Sequence, residues 1–143
     1  MNTSFASHTV QPSAAETTRT TGRFARAGLV AGLGAAGVNL AVVAIAHGLD
    51  VTFEVRGEAI PLVAFSQLTL FAAIVGVSLA AVLVRWARRA RSVFLAVTIG
   101  LAALSLLAPV LVDTDTATRL VLELTHLVAA FIVIPAIASR LAD

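Results

Sequence analysis

The sequence predicts an all-α integral membrane protein, an up-down bundle of four helices with both termini cytoplasmic. Three observations carry this. The 143 residues are 59% hydrophobic and 13% charged, with a mean hydropathy of +0.97; soluble domains run at about 45–50% apolar and about 25% charged. The apolar residues gather in four segments, roughly 27–49, 61–84, 93–112 and 120–138, each close to the ~20 residues that carry a helix across a ~30 Å hydrocarbon core. The arginines are distributed unevenly among the connections between these segments.

Helices follow from the solvent: lipid leaves backbone groups without partners unless the segment bonds to itself, and nothing alternates in the manner of a barrel strand. Before the first segment, residues 1–26 are rich in Ser, Thr and Ala, with His8, Pro12 and Gly22 and no apolar periodicity. Such composition buries too little surface to offset its ordering entropy, so a disordered cytoplasmic tail is expected there. Ala44-Ile45-Ala46 resembles a signal-peptidase site, but the apolar run is long for a signal peptide and contains Asn39, which favours a retained first helix.

All ten basic residues are Arg. Arg19, Arg23 and Arg26 precede the first segment, Arg85, Arg88, Arg89 and Arg91 separate the second from the third, and Arg140 follows the fourth. Only Arg56 and Arg119 fall on the opposite side, beside Asp50, Glu54, Glu58, Asp113 and Asp115. The positive-inside rule then places the Arg-rich connection and both ends in the cytoplasm of a bacterial cell, with Trp86 as an interfacial anchor. The charges form no stripe interleaved with aromatics, so nucleic acid is not an expected partner. The expected partners are the bilayer and, through small-residue faces, a second copy or another membrane protein. Cysteine is absent, which excludes disulfides, thiolate metal sites and thiol catalysis.

The outer connections are informative too. Val51, Phe53 and Val55 alternate before a Gly-containing turn, which fits either a short extended piece over the outer end of the bundle or a plain solvated loop. Residues 113–118 suit an N-cap for the fourth helix.

Small and polar residues mark helix contacts in a bilayer. Gly28, Gly32, Ala36 and Asn39 share one face of the first helix. Gln67 and Ser78 share a face of the second, Thr98, Ser105 and Pro109 one of the third, and Glu123, His126 and Ala130 one of the fourth. Pro109 and Pro135 each remove a helix donor and should bend their helices. At ~1.5 Å per residue, Asn39 lies about 14 Å below Gly48, Gln67 about 9 Å below Pro61 and Ser105 about 10 Å below Val112. Glu123 and His126 lie about 6 and 10 Å below Arg119.

One layer of the outer half therefore receives a polar group from every helix. Ionisable residues at such depth are costly and usually face a partner or a wet cavity. Glu123 and His126, three residues apart, are neighbours on the helix surface. With Asn39, Gln67 and Ser105 they form the expected site, a polar pocket open to the outside for a small ligand, a lipid head group, a cation or a proton. The structural alternatives are an ion pair of Glu123 with Arg119, a histidine bonded to a neighbouring carbonyl, and amides that hold helices together. The latter reading makes the chain an assembly subunit of a membrane complex with no ligand chemistry. Glu-x-x-His also supplies half of di-iron sites in helix bundles, but it occurs once here with no second carboxylate at matching depth. His47 and His126 make only one pair, at unequal depths, for haem. No catalytic residue, metal or cofactor is expected: no nucleophile motif or phosphate loop is present.

The Arg-rich lead into a Gly/Ala-rich helix with Val38-Asn39-Leu40, and the final span from His126 through Pro135-Ala136, resemble a group of actinobacterial four-span membrane proteins, a domain of unknown function. Some of its members are labelled cell envelope biogenesis proteins. The resemblance covers about residues 26–141 and implies fold and location without an activity.

Overall fold

The structure, a computed structural model, describes residues 14–55, 57–111 and 114–142. Its elements are α1 (Ala14–Gly48), β1 (Glu54–Val55), β2 (Glu58–Ala59), α2 (Leu62–Trp86), α3 (Ala90–Ser105), α4 (Ala108–Leu111) and α5 (Thr116–Ala138). Among the described residues four stretches are long and apolar enough to cross a membrane: Gly22–Gly48, Leu62–Trp86, Ala90–Leu111 and Thr116–Ala138.

The first helix begins earlier than composition suggests. It starts at Ala14, so residues 14–26, expected as part of a disordered tail, are helical; residues 1–13 lie outside the described residues. Once a helix is nucleated, each added residue costs only its own ordering. Phe24, fully buried in the core, anchors this extension. The third span shows the opposite effect. It breaks at Leu106 and Leu107, giving α3 and the short α4, because Pro109 has no N–H to return to Ser105.

α1 is the central element and packs along both α2 and α5, whereas α3 lies against α2 and α5 more sparsely. Its buried face is Gly28, Gly32, Ala35, Ala36 and Asn39, continuing to Val43 and Ala46, as the small-residue spacing predicts. A side chain at Gly28 would run into Val77 and Ile137, and one at Gly32 into Ala73. Position numbers therefore rise along α1 as they fall along α2, and the two helices are antiparallel. On α3 only Ala90 and Phe94 are buried.

Two apolar clusters result. One joins Phe24, Ala73, Phe94, Ile137 and Leu141 at the Arg-rich end. The other joins Val43, Ala46, Phe53 and Phe65 at the far end.

The far end is closed by residues 49–61. α1 stops in a Schellman motif: Val51 N–H donates to Ala46 O at 3.1 Å and Asp50 N–H to His47 O at 3.1 Å, with Asp50 at φ 65°. Aspartate takes this left-handed position because its short polar side chain tolerates it. Of the two readings of 51–60, the extended one is found. β1 and β2 pair antiparallel, Glu54 with Ala59 and Val55 with Glu58, around Gly57 at φ 80°. The Thr114 hydroxyl donates to Glu54 O at 2.7 Å and ties the α4–α5 connection to the hairpin. Phe53 has φ 52°, a strained setting for an aromatic residue, yet is buried with its ring edge-on to Phe65 at 5.3 Å.

α5 is capped by Asp115, whose Oδ1 accepts from Thr118 N–H at 2.9 Å. Hydrogen bonding to Thr118 holds the exposed Asp115 carboxyl below its usual pKa of 3.8. A lowered folded-state pKa means the contribution is complete above about pH 4 and fades as pH falls through the folded value. Asp115→Ala should therefore lower the thermal midpoint at pH 7, and its gap to the wild type should narrow at pH 3. Asp115→Asn, an equally good cap, should keep the midpoint at pH 7 and flatten the pH dependence.

Candidate functional site

Asn39 is the one amide buried among the described residues, 1% exposed. Its Nδ2 donates to Thr69 Oγ1 at 2.9 Å and to Thr125 O at 3.1 Å, so α1 is tied to both α2 and α5 at one level. Thr69 passes its own hydroxyl proton to Phe65 O at 2.7 Å. Both Asn39 donors are thus used. Its acceptor is not: Oδ1 is buried with no hydrogen-bond partner. Leaving such a group unmet costs about 1–3 kcal/mol, which makes it unusual in a native interior.

This amide lines a cleft of about 140 Å³ between α2 and α5. Its walls are Ile60, Phe65, Leu68, Ala72, Leu122 and Ala129, with Thr69, Thr125 and His126 supplying the other polar edges. No residue of α3 lines it, because α3 is packed at its Arg-rich end and exposed or half-buried beyond Phe94. Ile60, from the end of the hairpin segment, places the cleft near the hairpin end.

His126 Nδ1 sits 2.7 Å from Leu122 O, one turn back. A carbonyl only accepts, so Nδ1 carries the proton, and in the neutral ring Nε2 is an acceptor. Two lining residues thus each keep an acceptor without a partner, Asn39 Oδ1 and His126 Nε2. Both want a donor.

The five residues expected to share a pocket are not brought together. Asn39 and His126 line the cleft; Gln67, Ser105 and Glu123 do not. Gln67 is exposed, as is Ser78, which corrects the expected inward face of α2: the buried residues are Phe65, Thr69, Ala73 and Ala80. Position 67 lies two residues, about 200°, from both Phe65 and Thr69. Ser105 spends its hydroxyl on Ala102 O at 2.7 Å, and Thr98 does likewise with Phe94 O. On α5 the inward residues are Thr118, Thr125, Val133 and Ile137, so Glu123 lies on the far side of Thr125. Glu123 is half-buried and among the described residues makes no ion pair. Arg119, its expected alternative partner, donates Nε to Pro109 O at 3.1 Å instead.

Thr69 and Thr125 line the cleft, and a count of strongly polar residues passes over them. A threonine in a helix satisfies its hydroxyl on its own backbone, so it announces no need for a partner. The usable signal was spacing: Thr118 and Thr125 are seven residues apart, two turns on one face, and Phe65, Thr69, Ala73, Gly76 and Ala80 run at helical intervals.

No curated protein and no solved structure matches the chain. A family model does, over residues 19–143, which takes in every span and the whole cleft. With four membrane-length helices, this is a multi-pass membrane protein, and it belongs to DUF6069, a family of unknown function.

Proposed function

We propose that the protein binds an amphiphile whose polar end carries a hydrogen-bond donor, a hydroxyl or an amine, in the cleft at Asn39. The observation that carries this is the unpartnered, buried Oδ1 of Asn39, a residue that lines a mostly apolar cleft. A free acceptor in a dry site is matched by a ligand that donates. A volume of about 140 Å³ resembles that of an engineered cavity of about 150 Å³ that takes up benzene. It accommodates a head group and the first few carbons, with the remaining tail passing between α2 and α5 into lipid. On this reading the Arg-rich end faces the cytoplasm of a bacterial cell, both termini are inside, and the cleft lies toward the outer leaflet. Eight of ten arginines on one side support that orientation.

A long-chain alcohol bearing a diazirine next to its hydroxyl tests the assignment in membranes. Wild-type protein should be labelled at cleft residues of α2 and α5. Asn39→Ala should cut labelling at least fivefold while the protein still inserts, since losing interhelical hydrogen bonds in a membrane costs only about 0.6–1.7 kcal/mol. Glu123→Gln, outside the cleft, should label as wild type. Equal labelling of Asn39→Ala and wild type would refute the assignment.

A further inference from the structure

The end of the molecule opposite the hairpin carries a second feature, independent of the cleft. Phe24, Phe94 and Leu141 share one cluster, with Leu83 and Val84 packed on it. The start of α1, the α2–α3 link and the end of α5 therefore lie at one level. Segments 22–26, 85–91 and 139–142 bring Arg23, Arg26, Arg85, Arg88, Arg89, Arg91 and Arg140 there, against the single acidic side chain of Asp143 that follows in the sequence. All seven side chains are exposed, and among the described residues none forms an ion pair.

Ala87 adopts an extended conformation, φ −101° and ψ 134°, and ends α2. Arg88 and Arg89 consequently sit on a short link between two helices instead of on a helical face. They line an open groove together with Ala87 and Val93. Beside it Trp86, 84% exposed, extends from the last turn of α2.

We propose that this groove holds the phosphate of an anionic phospholipid. Guanidinium groups match phosphate oxygens in bidentate geometry and give up their hydration more readily than ammonium groups. A free phosphate would use only the guanidiniums. The apolar side of the groove, Ala87 and Val93, continues along α3 into the span, where an acyl chain lies; this feature selects a lipid over a soluble anion. Trp86 occupies the level at which amphipathic rings meet head groups. Clusters of this kind beside a span attract anionic leaflets.

Trp86 is the single tryptophan of the chain, so its fluorescence reports on this groove alone. The full-length protein in neutral detergent micelles is titrated in parallel with short-chain phosphatidylglycerol, short-chain phosphatidylcholine and sodium phosphate. Phosphatidylglycerol should give a saturable blue shift, and the other two none. In Arg88→Gln/Arg89→Gln, checked for helicity by circular dichroism, the half-saturating phosphatidylglycerol concentration should rise at least tenfold. A response to phosphatidylcholine equal to that for phosphatidylglycerol would overturn the proposal. So would an equal response to sodium phosphate, an absent response to phosphatidylglycerol, or a folded double variant that titrates as wild type.

Discussion

Replacing Gly32 with leucine should force α1 away from α2 and destabilise the protein by at least the upper part of the about 1–3 kcal/mol typical of overpacking. Even alanine is too large here, because its Cβ would sit 2.5 Å from the Cβ of Ala73. Neither of those atoms belongs to a flexible side chain, so only a backbone shift makes room. The shift would be felt beyond the contact itself. Asn39 lies two turns along the same face, and its bonds to Thr69 and Thr125 require α1 to stay close to both neighbours. Close approach of this kind is how membrane helices gain stability when lipid already satisfies large apolar side chains. The reciprocal exchange isolates the cause: Gly32→Ala with Ala73→Gly returns the volume and should recover most of the loss that Gly32→Ala alone produces. Midpoints of unfolding in mixed micelles with rising sodium dodecyl sulfate measure all three. Full stability in Gly32→Leu would mean that α1 and α2 are not in contact there.

Phe53→Ala should cost about 3–5 kcal/mol, the range for removing a buried phenylalanine. Phe53 is 1% exposed, stacks edge-on with Phe65 and packs with Val43 and Ala46. Its φ of 52° is unfavourable, and alanine at the same φ would keep that strain while giving up the ring. Phe53→Gly separates the two effects: it loses the same ring but relieves the backbone, so it should be less damaging than alanine. The consequence reaches the site. Phe65 lines the cleft, and Ile60 N–H bonds Phe53 O at 2.8 Å, so a loosened Phe53 should also weaken amphiphile labelling. Denaturation midpoints of the two variants, together with photolabelling yield, check the prediction.

The spans and the buried face of α1 were legible in the sequence because both obey simple counting. Length and hydropathy mark a helix that lipid must satisfy, and Gly28, Gly32, Ala36 and Asn39 recur at helical spacing with small volume. A cap for the last helix within 113–118, though not Asp115 in particular, and the extended character of 51–55 were visible for a similar reason, since turn and cap chemistry is local. The inward faces of α2 and α5 were not. Gln67 and Glu123 are the most polar residues of those segments, and polarity alone predicts that they face inward. The structure buries Thr69 and Thr125 instead, whose hydroxyls are already bonded within their helices. What decides the site is Asn39, which reaches across two helices, and the residue opposite a long side chain depends on helix rotation. Rotation is a property of the packed bundle that no single segment encodes. The early start of α1 is not legible in composition, because helix propagation depends on what Phe24 packs against.

Native mass spectrometry of the protein extracted from its own membranes in mild detergent tests the cleft most directly, with Asn39→Ala beside the wild type. Besides any anionic phospholipid held at the Arg88–Arg89 groove, which both proteins should keep, the wild type should carry one bound amphiphile per chain with a hydroxyl or amine at its polar end, and Asn39→Ala should carry little or none of it. An identical set of bound lipids on both proteins, or an Asn39-dependent species with no hydrogen-bond donor, would contradict the assignment of Asn39 Oδ1 as the group that receives it.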